Sequence, residues 1–513
     1  MNEPGCRQDA YVTLYLHHAR SRIHRPMRRR HVSQSLELPL SDRHEKETRQ
    51  AWVYRCVRER IVAGALRRGD RLPSTRTLAE RWGVSRGIVE LAFEQLTLEG
   101  YVASRVGAGT EVVADLPGAG ASTDRANPCV APPEPLPENA ASLASKTGRS
   151  PDAALFSLPV WRKHMNRALR TVTPELLADT DPRGYLPLRE SIARYVRMTR
   201  GIACEAAEIV VTTGIRHAID LVTEVLADDA TAFYLEDPGY KNLSSLIRAP
   251  LPRCVSVPVD DEGFVVDVAD RAGEGRSGIA YVTPAHQAPL GTTMSINRRM
   301  QLLEWAVARN VWIVEDDYDS EFSYGSAPLP ALKAIDTHGR VIHCSSFNKT
   351  LFPSLRIGYL LAPPALLARI AGLRSASGRA NSLIEQMALA SYIDAGDFAR
   401  HLRASRSVYL RRRNLLLETL RARMSTSCRV TGEHAGFHFV LWLPRPVDEA
   451  ALVATLREQG VFVEGLREFT RAQAMPPALV LGYAALEDAR LPEIATRIAL
   501  AIDTVVLAAQ AGG

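Results

Sequence analysis

The sequence lacks three features that would set it apart from ordinary soluble proteins. It has no run of 18 or more apolar residues, which argues against a membrane span, and its arginine-bearing N-terminus has no apolar segment of the signal-peptide type. Its seven cysteines show no Cys-x-x-Cys spacing, so neither a disulfide framework nor a zinc site is expected. This cysteine usage favours a reducing, cytoplasmic location. The cysteines are Cys6, Cys56, Cys129, Cys204, Cys254, Cys344 and Cys428.

Lysine is also scarce, because only six of the 63 Lys and Arg residues are lysines. Arginine therefore carries nearly all of the positive charge. A lysine that acts as a nucleophile toward a carbonyl group consequently has few possible positions. The six are Lys46, Lys146, Lys163, Lys241, Lys333 and Lys349.

Length and charge indicate a multidomain protein with one basic end. The 513 residues suffice for two to four domains, and 46% hydrophobic with 23% charged residues is typical of a globular chain. Residues 1–114 hold 20 Arg and Lys against 13 Asp and Glu, a net charge of +7, whereas the rest carries −1. The basic end suggests a polyanion as partner. Charge alone leaves open whether this surface binds nucleic acid or is only solvated.

The N-terminal part predicts a disordered extension followed by three helices. Residues 1–44 are basic and weakly patterned, and the sequence leaves open whether translation starts at Met1 or Met27. In residues 45–114, apolar residues at helical spacing predict a first helix over 47–63. A second helix opens with Ser74 as its N-cap and ends at Gly83, and a third is capped by Ser85.

Two short alternating segments, 101–104 and 110–113, follow the third helix and predict a hairpin. Three helices followed by a two-stranded wing predict a winged helix-turn-helix. A recognition helix needs a polar N-terminal end, which Ser85 and Arg86 provide. Arg76 is placed to meet phosphates, and Arg105 with Gly107 lets the wing approach the duplex. The alternative is a small helical domain with ordinary surface arginines.

Three further regions follow the helix-turn-helix. Residues 115–154 are rich in Pro, Ala, Gly and Ser and predict a flexible linker. Residues 155–394 alternate strands with helices, which predicts a large doubly wound α/β domain. Residues 395–513 predict a smaller α/β lobe with strands near 437–443 and 461–464. The strands predicted in the large domain are 208–213, 231–235, 278–282, 311–315, 341–345 and 358–361.

The most informative motif combines an acidic strand end with a lysine in a polar turn. Lys349 lies in Ser345–Thr350 (SSFNKT), 33 residues after Asp316. A lysine that forms a Schiff base and a carboxylate that keeps a pyridine nitrogen protonated are what a pyridoxal phosphate (PLP) site requires. Since alternate residues of a strand share a face, Asp316 and Tyr318 point the same way, Tyr318 toward the phenolic oxygen. A register error of one residue would exchange Asp316 with Asp317.

A strand–glycine–helix turn predicts the phosphate site. Backbone N–H groups at a helix start bind phosphate, and Gly214, Ile215 and Arg216 occupy such a turn. Ser346 and Arg356 are the predicted side-chain partners, although such a turn is common and weak by itself.

Three more residues are assigned to cofactor binding, two of them with an alternative role. Tyr240 follows a strand end and is placed to lie against the pyridine ring, but a packing tyrosine is equally compatible with its spacing. His286 lies in another strand-end loop, where histidine more often has a structural role. Asn348 precedes Lys349 in the same turn.

The sequence from 45 onward resembles the MocR/GabR branch of the GntR regulators, which join a winged helix-turn-helix to a fold-type I, class I aminotransferase-like domain. The motifs of the first part are Arg71–Arg76, Trp82–Arg86, Leu96–Tyr101 and Gly107–Thr110. Those of the second part are Asp181–Tyr185, Thr283–Gln287, Glu315–Phe322 and Phe347–Tyr359. The resemblance implies a PLP-dependent transcriptional regulator that binds a double-stranded DNA operator, senses a small amino compound or PLP itself, and forms a homodimer.

The chain departs from this pattern in ways that bear on catalysis. Ala288 stands where aminotransferases carry an asparagine for the phenolic oxygen, and Leu481–Ala485 lacks the arginine that binds a substrate carboxylate in many such enzymes. Arg467 is the predicted substitute for binding the effector. We therefore expect weak or vestigial aminotransferase activity at most. The alternative function is an aminotransferase with an appended helix-turn-helix domain.

Overall fold

The computed structural model describes residues 40–105, 109–114, 147–178, 181–241, 243, 247, 253–325, 329–378, 381–425, 427–445 and 447–511. The chain divides into two compact units, Met1–Pro135 and Leu136–Gly513. Within the described residues, no helix is long and apolar enough to cross a membrane.

The described residues of the N-terminal unit form three helices and a three-stranded sheet. Its elements are α1 (Arg49–Val62), β1 (Arg71–Leu72), α2 (Thr75–Trp82), α3 (Arg86–Leu98), β2 (Val102–Arg105) and β3 (Gly109–Val112). The apolar faces of the helices pack into one core that includes Val57, Leu78 and Phe93. The sheet is antiparallel in the order β1-β3-β2, so β1 adds a strand that the sequence did not predict. The predicted winged helix-turn-helix is confirmed.

The two helix starts of the helix-turn-helix differ in how they are capped. Ser74 Oγ accepts a hydrogen bond from Thr77 N at 3.2 Å, as predicted. Gly83 ends α2 with φ 64°, a left-handed conformation that suits glycine. Ser85 occupies the N-cap position of α3, but in the structure its side chain makes no capping hydrogen bond, so the predicted cap is wrong in this respect.

The C-terminal unit is a two-lobed α/β body. Its helices are α4 (Leu158–Thr171), α5 (Pro174–Ala178), α6 (Leu186–Arg200), α7 (Ile215–Leu226), α8 (Val266–Ala272), α9 (Ile296–Ala308), α10 (Phe347–Thr350), α11 (Pro364–Ser377), α12 (Leu383–Asp394), α13 (Asp397–Arg423), α14 (Glu449–Glu458) and α15 (Leu491–Ala511). Its strands are β4 (Ile209–Thr212), β5 (Ala232–Asp237), β6 (Cys254–Asp260), β7 (Gly263–Phe264), β8 (Gly278–Val282), β9 (Val311–Asp317), β10 (Val341–Ser346), β11 (Gly358–Leu361), β12 (Arg429–Thr431), β13 (His438–Trp442), β14 (Glu464–Gly465) and β15 (Ala478–Gly482).

The larger sheet has the strand order β4-β11-β10-β9-β8-β5-β6-β7. Strands β6, β5, β8, β9 and β10 run parallel, so their carboxyl ends meet at one edge, with Cys344 opposite Asp316. The antiparallel strand β11 places Gly358 opposite both Ser346 and Thr212. The ends of β4, β9 and β10 are thereby brought together, which is the position expected for a ligand site in an open α/β sheet.

The six strands predicted in the large domain are all present. Strands β5 and β9 continue two residues beyond their predicted ends, through Asp237 and Asp317. These extra residues are acidic and buried. Charged residues normally end a buried strand, which is why the sequence pattern stopped too early. Strands β6 and β7 were not predicted.

The smaller lobe carries an antiparallel sheet in the order β12-β13-β15-β14, with the long helix α13 preceding it. Strand β13 lies within the predicted segment 437–443. The predicted strand 461–464 is mostly wrong, because residues 461–463 are irregular and β14 begins only at Glu464.

The end of the predicted linker 115–154 belongs to the folded body instead. Thr147, Gly148 and Ser150 are buried, and Ala484 N donates to Gly148 O at 2.9 Å. A short 3-10 turn, Ala153–Leu155, follows. Composition alone predicted a linker here because small residues are typical both of linkers and of close backbone packing.

Candidate functional site

Two of the predicted DNA-contacting side chains are exposed at helix starts. Arg76 Nε lies 3.4 Å from Glu80 Oε1, and Arg86 Nε lies 2.7 Å from Glu90 Oε1. Exposed pairs of this kind hold their partners weakly, so both guanidinium groups remain accessible to a polyanion. Gly107 and the side chain of Arg105 lie outside the described residues.

Lys349 lies in the short helix α10, directly after β10. The helix begins at its N-cap Ser346, whose Oγ accepts from Asn348 N at 3.2 Å. The half-buried Lys349 Nζ donates to the carbonyl oxygen of Arg149 at 3.3 Å. Burial, with the nearby charge of Arg149, lowers the pKa of Lys349 to about 8. Since only a neutral amine attacks a carbonyl group, this environment favours nucleophilic chemistry.

Asp316 has one carboxylate oxygen that the described residues leave without a hydrogen bond. Tyr281 on β8 donates its hydroxyl to Asp316 Oδ2, whereas the buried Oδ1 has no partner among them. Burial raises the pKa of Asp316 to about 7, and Asp317 and Asp319 act in the same direction. A buried acceptor of this kind fits a protonated ring nitrogen, which would favour the ionised carboxylate.

Asp317 faces a different environment. Its Oδ2 accepts a hydrogen bond from Arg200 Nε at 2.6 Å, and both residues are buried. Because Asp317 is already paired with a cation, Asp316 remains the candidate for the pyridine nitrogen. The strand alternation predicted from sequence agrees with this division.

Tyr318 contacts His286 through its hydroxyl, 3.2 Å from His286 Nδ1. The same imidazole lies 3.0 Å from Asp319 Oδ2 through Nδ1 and 3.2 Å from Gly432 O through Nε2. Burial acts to lower the pKa of His286, but the Asp319 carboxylate more than offsets it, so the pKa is raised. The ring nitrogens of His286 therefore contact Tyr318, Asp319 and the Gly432 backbone. These contacts favour a role in positioning Tyr318 over direct contact with a ligand.

The predicted phosphate turn converges on the Lys349 turn. Gly214 has φ 129° at the start of α7, and a Cβ there would lie 2.8 Å from Asn348 Nδ2 and 3.5 Å from Ser346 Oγ. Asn348 links the two loops, because its Nδ2 donates to Thr213 O and its Oδ1 accepts from Ile357 N. The side chain of Asn348 is thus occupied in holding the turn rather than free for a ligand.

Arg216, predicted to contribute its backbone N–H, and Arg356, predicted to contribute its side chain, both have exposed side chains. Arg216 Nε donates to the Tyr240 hydroxyl at 3.2 Å, and the Tyr240 and Tyr281 ring centroids are 6.2 Å apart. This places Tyr240 near the tyrosine that holds Asp316. Arg356 adopts φ 53°, and its carbonyl oxygen accepts from Asn381 Nδ2 at 2.9 Å.

The structure does not bring Arg467 to this site by any described contact. Its side chain is exposed, and its backbone N donates to Glu449 Oε1 at 2.9 Å. Arg149 lies beside Lys349 instead, a residue that the sequence assigned to the linker. No spacing rule distinguishes it from its neighbours. Tyr281 was also missed, although its place on a strand next to β9 is a signal that could have identified it.

Comparisons with known proteins agree with this architecture. Residues 147–498 match the aminotransferase class I and II family, and residues 49–112 match the bacterial regulatory proteins of the gntR family. The probable rhizopine catabolism regulatory protein MocR of Rhizobium meliloti is 32% identical, over 86% of this chain and 91% of that protein. The pyridoxine biosynthesis transcriptional regulator PdxR of Corynebacterium glutamicum is 31% identical, over 91% of this chain and 99% of that one.

Among solved structures, the body is similar to a multiple substrate aminotransferase from Thermococcus profundus. The TM-score is 0.65 at 25% identity, over 70% of this chain and 91% of the other.

A winged helix-turn-helix followed by a two-lobed α/β body of the class I aminotransferase fold defines a transcriptional regulator with an enzyme-like domain. The chain belongs to the HTH-type regulators of the GntR family that carry an aminotransferase class I and II domain. Regulators of the GntR type bind DNA, and the class I aminotransferase fold typically binds PLP.

Proposed function

We propose that this regulator attaches PLP through Lys349 and changes its binding to an operator when a small amino compound, or PLP itself, occupies the site. The observation that carries the proposal is the presence in one site of two groups: Lys349, whose pKa is lowered to about 8, and Asp316, whose buried Oδ1 has no hydrogen-bond partner among the described residues. Both lie at the strand ends where the fold binds ligands. The winged helix-turn-helix supplies the operator-binding surface in the same chain.

Each residue then has a defined task. PLP, when bound, supplies a reactive aldehyde on an electron-withdrawing ring. Asp316 would accept a hydrogen bond from the ring nitrogen, and Tyr281 fixes the orientation of that carboxylate. Tyr318 would donate to the phenolic oxygen, and Tyr240 would lie against the ring.

We assign the binding of the PLP phosphate group to the N-terminal end of α7. The backbone N–H groups of Ile215 and Arg216, following Gly214, combine with the hydroxyl of Ser346 and the exposed charge of Arg356. Helix N-termini favour anions, and a cation strengthens the site.

The second candidate, an aminotransferase with an appended domain, is favoured by the nearly complete set of cofactor-binding residues. It is disfavoured by Ala288 and by Leu481–Ala485, which lacks an arginine. Rapid turnover of amino and keto acid pairs, with no operator binding, would support this second function.

The proposal also includes an assembly and a cellular location. Leu158 and Leu169 on α4 and Leu177 on α5 are large apolar side chains that are more than half exposed. Such residues are covered in a homodimer, which is the assembly we propose. We also propose a cytoplasmic location, where both the operator DNA and PLP are present.

The test uses the full chain and an operator obtained by selection from random DNA duplexes. Operator affinity is measured with and without PLP, and with PLP plus a mixture of primary amines and amino acids. We expect the affinity to depend on ligand, because a ligand shifts an equilibrium only if it binds the two states differently. Operator affinity that is the same in all conditions would contradict the proposal.

A further inference from the structure

Arg149 lies directly beside the reactive amine of Lys349. Its carbonyl oxygen accepts the hydrogen bond from Lys349 Nζ at 3.3 Å. A molecule that reaches Lys349 with an amino group therefore lies against the backbone of this residue. Arg149 is thus a neighbour of any occupant, unlike the exposed Arg467.

The guanidinium of Arg149 is held in place by two contacts, but not all of its N–H donors are hydrogen-bonded within the described residues. Nη1 pairs with the buried carboxylate of Glu464, and Cζ lies 4.8 Å from the ring centroid of Phe469. The buried Nε has no hydrogen-bond partner among the described residues. Arginine presents several N–H donors in a planar fork that matches a carboxylate, so a donor remains for an incoming acceptor.

Glu464 does not depend on Arg149 alone. Lys241 Nζ lies 3.6 Å from Glu464 Oε1 and also pairs with Glu468. If a ligand's carboxylate draws the Arg149 guanidinium toward itself, Glu464 keeps a positive neighbour. The cost of an uncompensated buried carboxylate is thereby avoided.

The segment that carries Arg149 is held rigidly against strand β15. A Cβ on Gly482 would lie 2.2 Å from Thr147 O and 2.7 Å from Arg149 Cγ, so the arginine stem crosses the β15 end where only glycine leaves room. A Cβ on Gly148 would lie 2.7 Å from the carbonyl carbon of Gly482. Arg149 thus brings a positive charge to Leu481–Ala485, which has none of its own. A site held by packed backbone is preorganised.

We propose that Arg149 recognises the carboxylate of the effector, which makes the effector a molecule with both a primary amine and a carboxylate. This inference rests on the proposed function, because the amine must be held at Lys349. Arg149 acts as a specificity-determining residue. It selects amino acids over amines of the same length, and Arg467 does not.

The test compares two homologous series of probes. One runs from glycine and β-alanine to 6-aminohexanoate, and the other consists of the n-alkylamines of matched chain length. Binding is followed by the absorbance change of the PLP-loaded protein. It is followed separately by thermal stabilisation of PLP-free protein, which does not require the cofactor. The variants are Arg149→Ala, Arg149→Lys, Arg467→Ala and, as a control for loss of one exposed charge, Arg457→Ala.

We expect the wild-type protein to prefer at least one amino acid over its matched amine by about tenfold or more, the typical contribution of a charge-assisted hydrogen bond. Arg149→Ala should abolish the preference. Arg149→Lys, which keeps a charge beside Glu464 and guards against misfolding, should reduce it because lysine lacks the fork. Arg467→Ala and Arg457→Ala should leave it unchanged.

Retention of the preference in Arg149→Ala, or its loss in Arg467→Ala, would overturn the inference. A wild-type protein without any preference would do the same. Failure to take up PLP would instead contradict the proposed function, and the PLP-free measurement would still decide the role of Arg149.

Discussion

The two units of this chain use charge in opposite ways. In the winged helix-turn-helix, Arg76 and Arg86 are exposed and only loosely paired with Glu80 and Glu90. In the α/β body, the charged groups at the strand ends are buried, and the pKa values of Lys349 and Asp316 move toward neutrality. Binding a polyanion requires accessible charge, whereas holding a small ligand requires charges that burial has made reactive.

The largest expected effect concerns a buried pair in the body. Arg200→Ala removes the guanidinium paired with the buried Asp317 carboxylate, beside which His343 Nε2 lies at 4.0 Å, and we expect a loss of about 3–5 kcal/mol in the free energy of unfolding. The matched control is Arg197→Ala on the same helix, whose exposed pair with Glu205 at 3.5 Å should contribute about 0–1 kcal/mol. Denaturant titration measures both. Equal losses of unfolding free energy in the two variants would contradict the idea that buried charge pairs stabilise the body more than exposed ones.

The next effect concerns pH. Because the pKa of Lys349 is lowered to about 8, its neutral fraction grows as the pH rises through that value and is nearly complete about one unit above it. The rate of PLP uptake should therefore increase up to roughly pH 9 and then level off. Stopped-flow absorbance between pH 6 and 11 checks this. A rate that keeps rising to the pKa of an ordinary lysine would show that burial does not activate Lys349.

In the winged helix-turn-helix, Arg86→Ala should weaken operator binding by roughly tenfold, the range expected when one base or phosphate contact is lost. Arg49→Ala removes an exposed charge at the start of α1 and should have a smaller effect. Fluorescence anisotropy at several salt concentrations provides the measurement. If both variants behave alike, net charge rather than the position of α3 determines affinity.

The smallest effect should come from Glu90→Gln. This change removes the weak partner of Arg86 and one negative charge near the duplex, so operator affinity should rise by a few-fold at most. The same anisotropy titration detects it, with Glu45→Gln on an exposed residue before α1 as control. A decrease in affinity would indicate that the Glu90 pair orients Arg86 for binding.

Local patterns predicted the architecture well, because buried strands and amphipathic helices each produce a characteristic spacing of apolar residues in the local sequence. The six predicted strands of the large sheet are present, and the alternation of a strand separates Asp316 from Asp317. The acidic ends of β5 and β9 were missed because buried carboxylates contradict the usual rule for strand ends.

Long-range packing set the limits of prediction. Arg149 reaches Lys349 across 200 residues of sequence, and the glycine at 482 that makes room for it looks like any turn glycine. Arg467 was chosen for its position in the chain, and its side chain proves to be exposed. Ser85 has the right residue type for a cap, but its hydroxyl is not used in that way.

The most direct test of the central claim is to reduce the PLP-incubated protein with borohydride and locate the added mass by peptide mass spectrometry. We predict one modified peptide, carrying the pyridoxyl group on Lys349. The modification should be lost in Lys349→Ala and retained in Lys163→Ala, which removes an exposed lysine on α4. A protein that gains no mass, or gains it on another lysine while Lys349→Ala remains modified, would contradict this account.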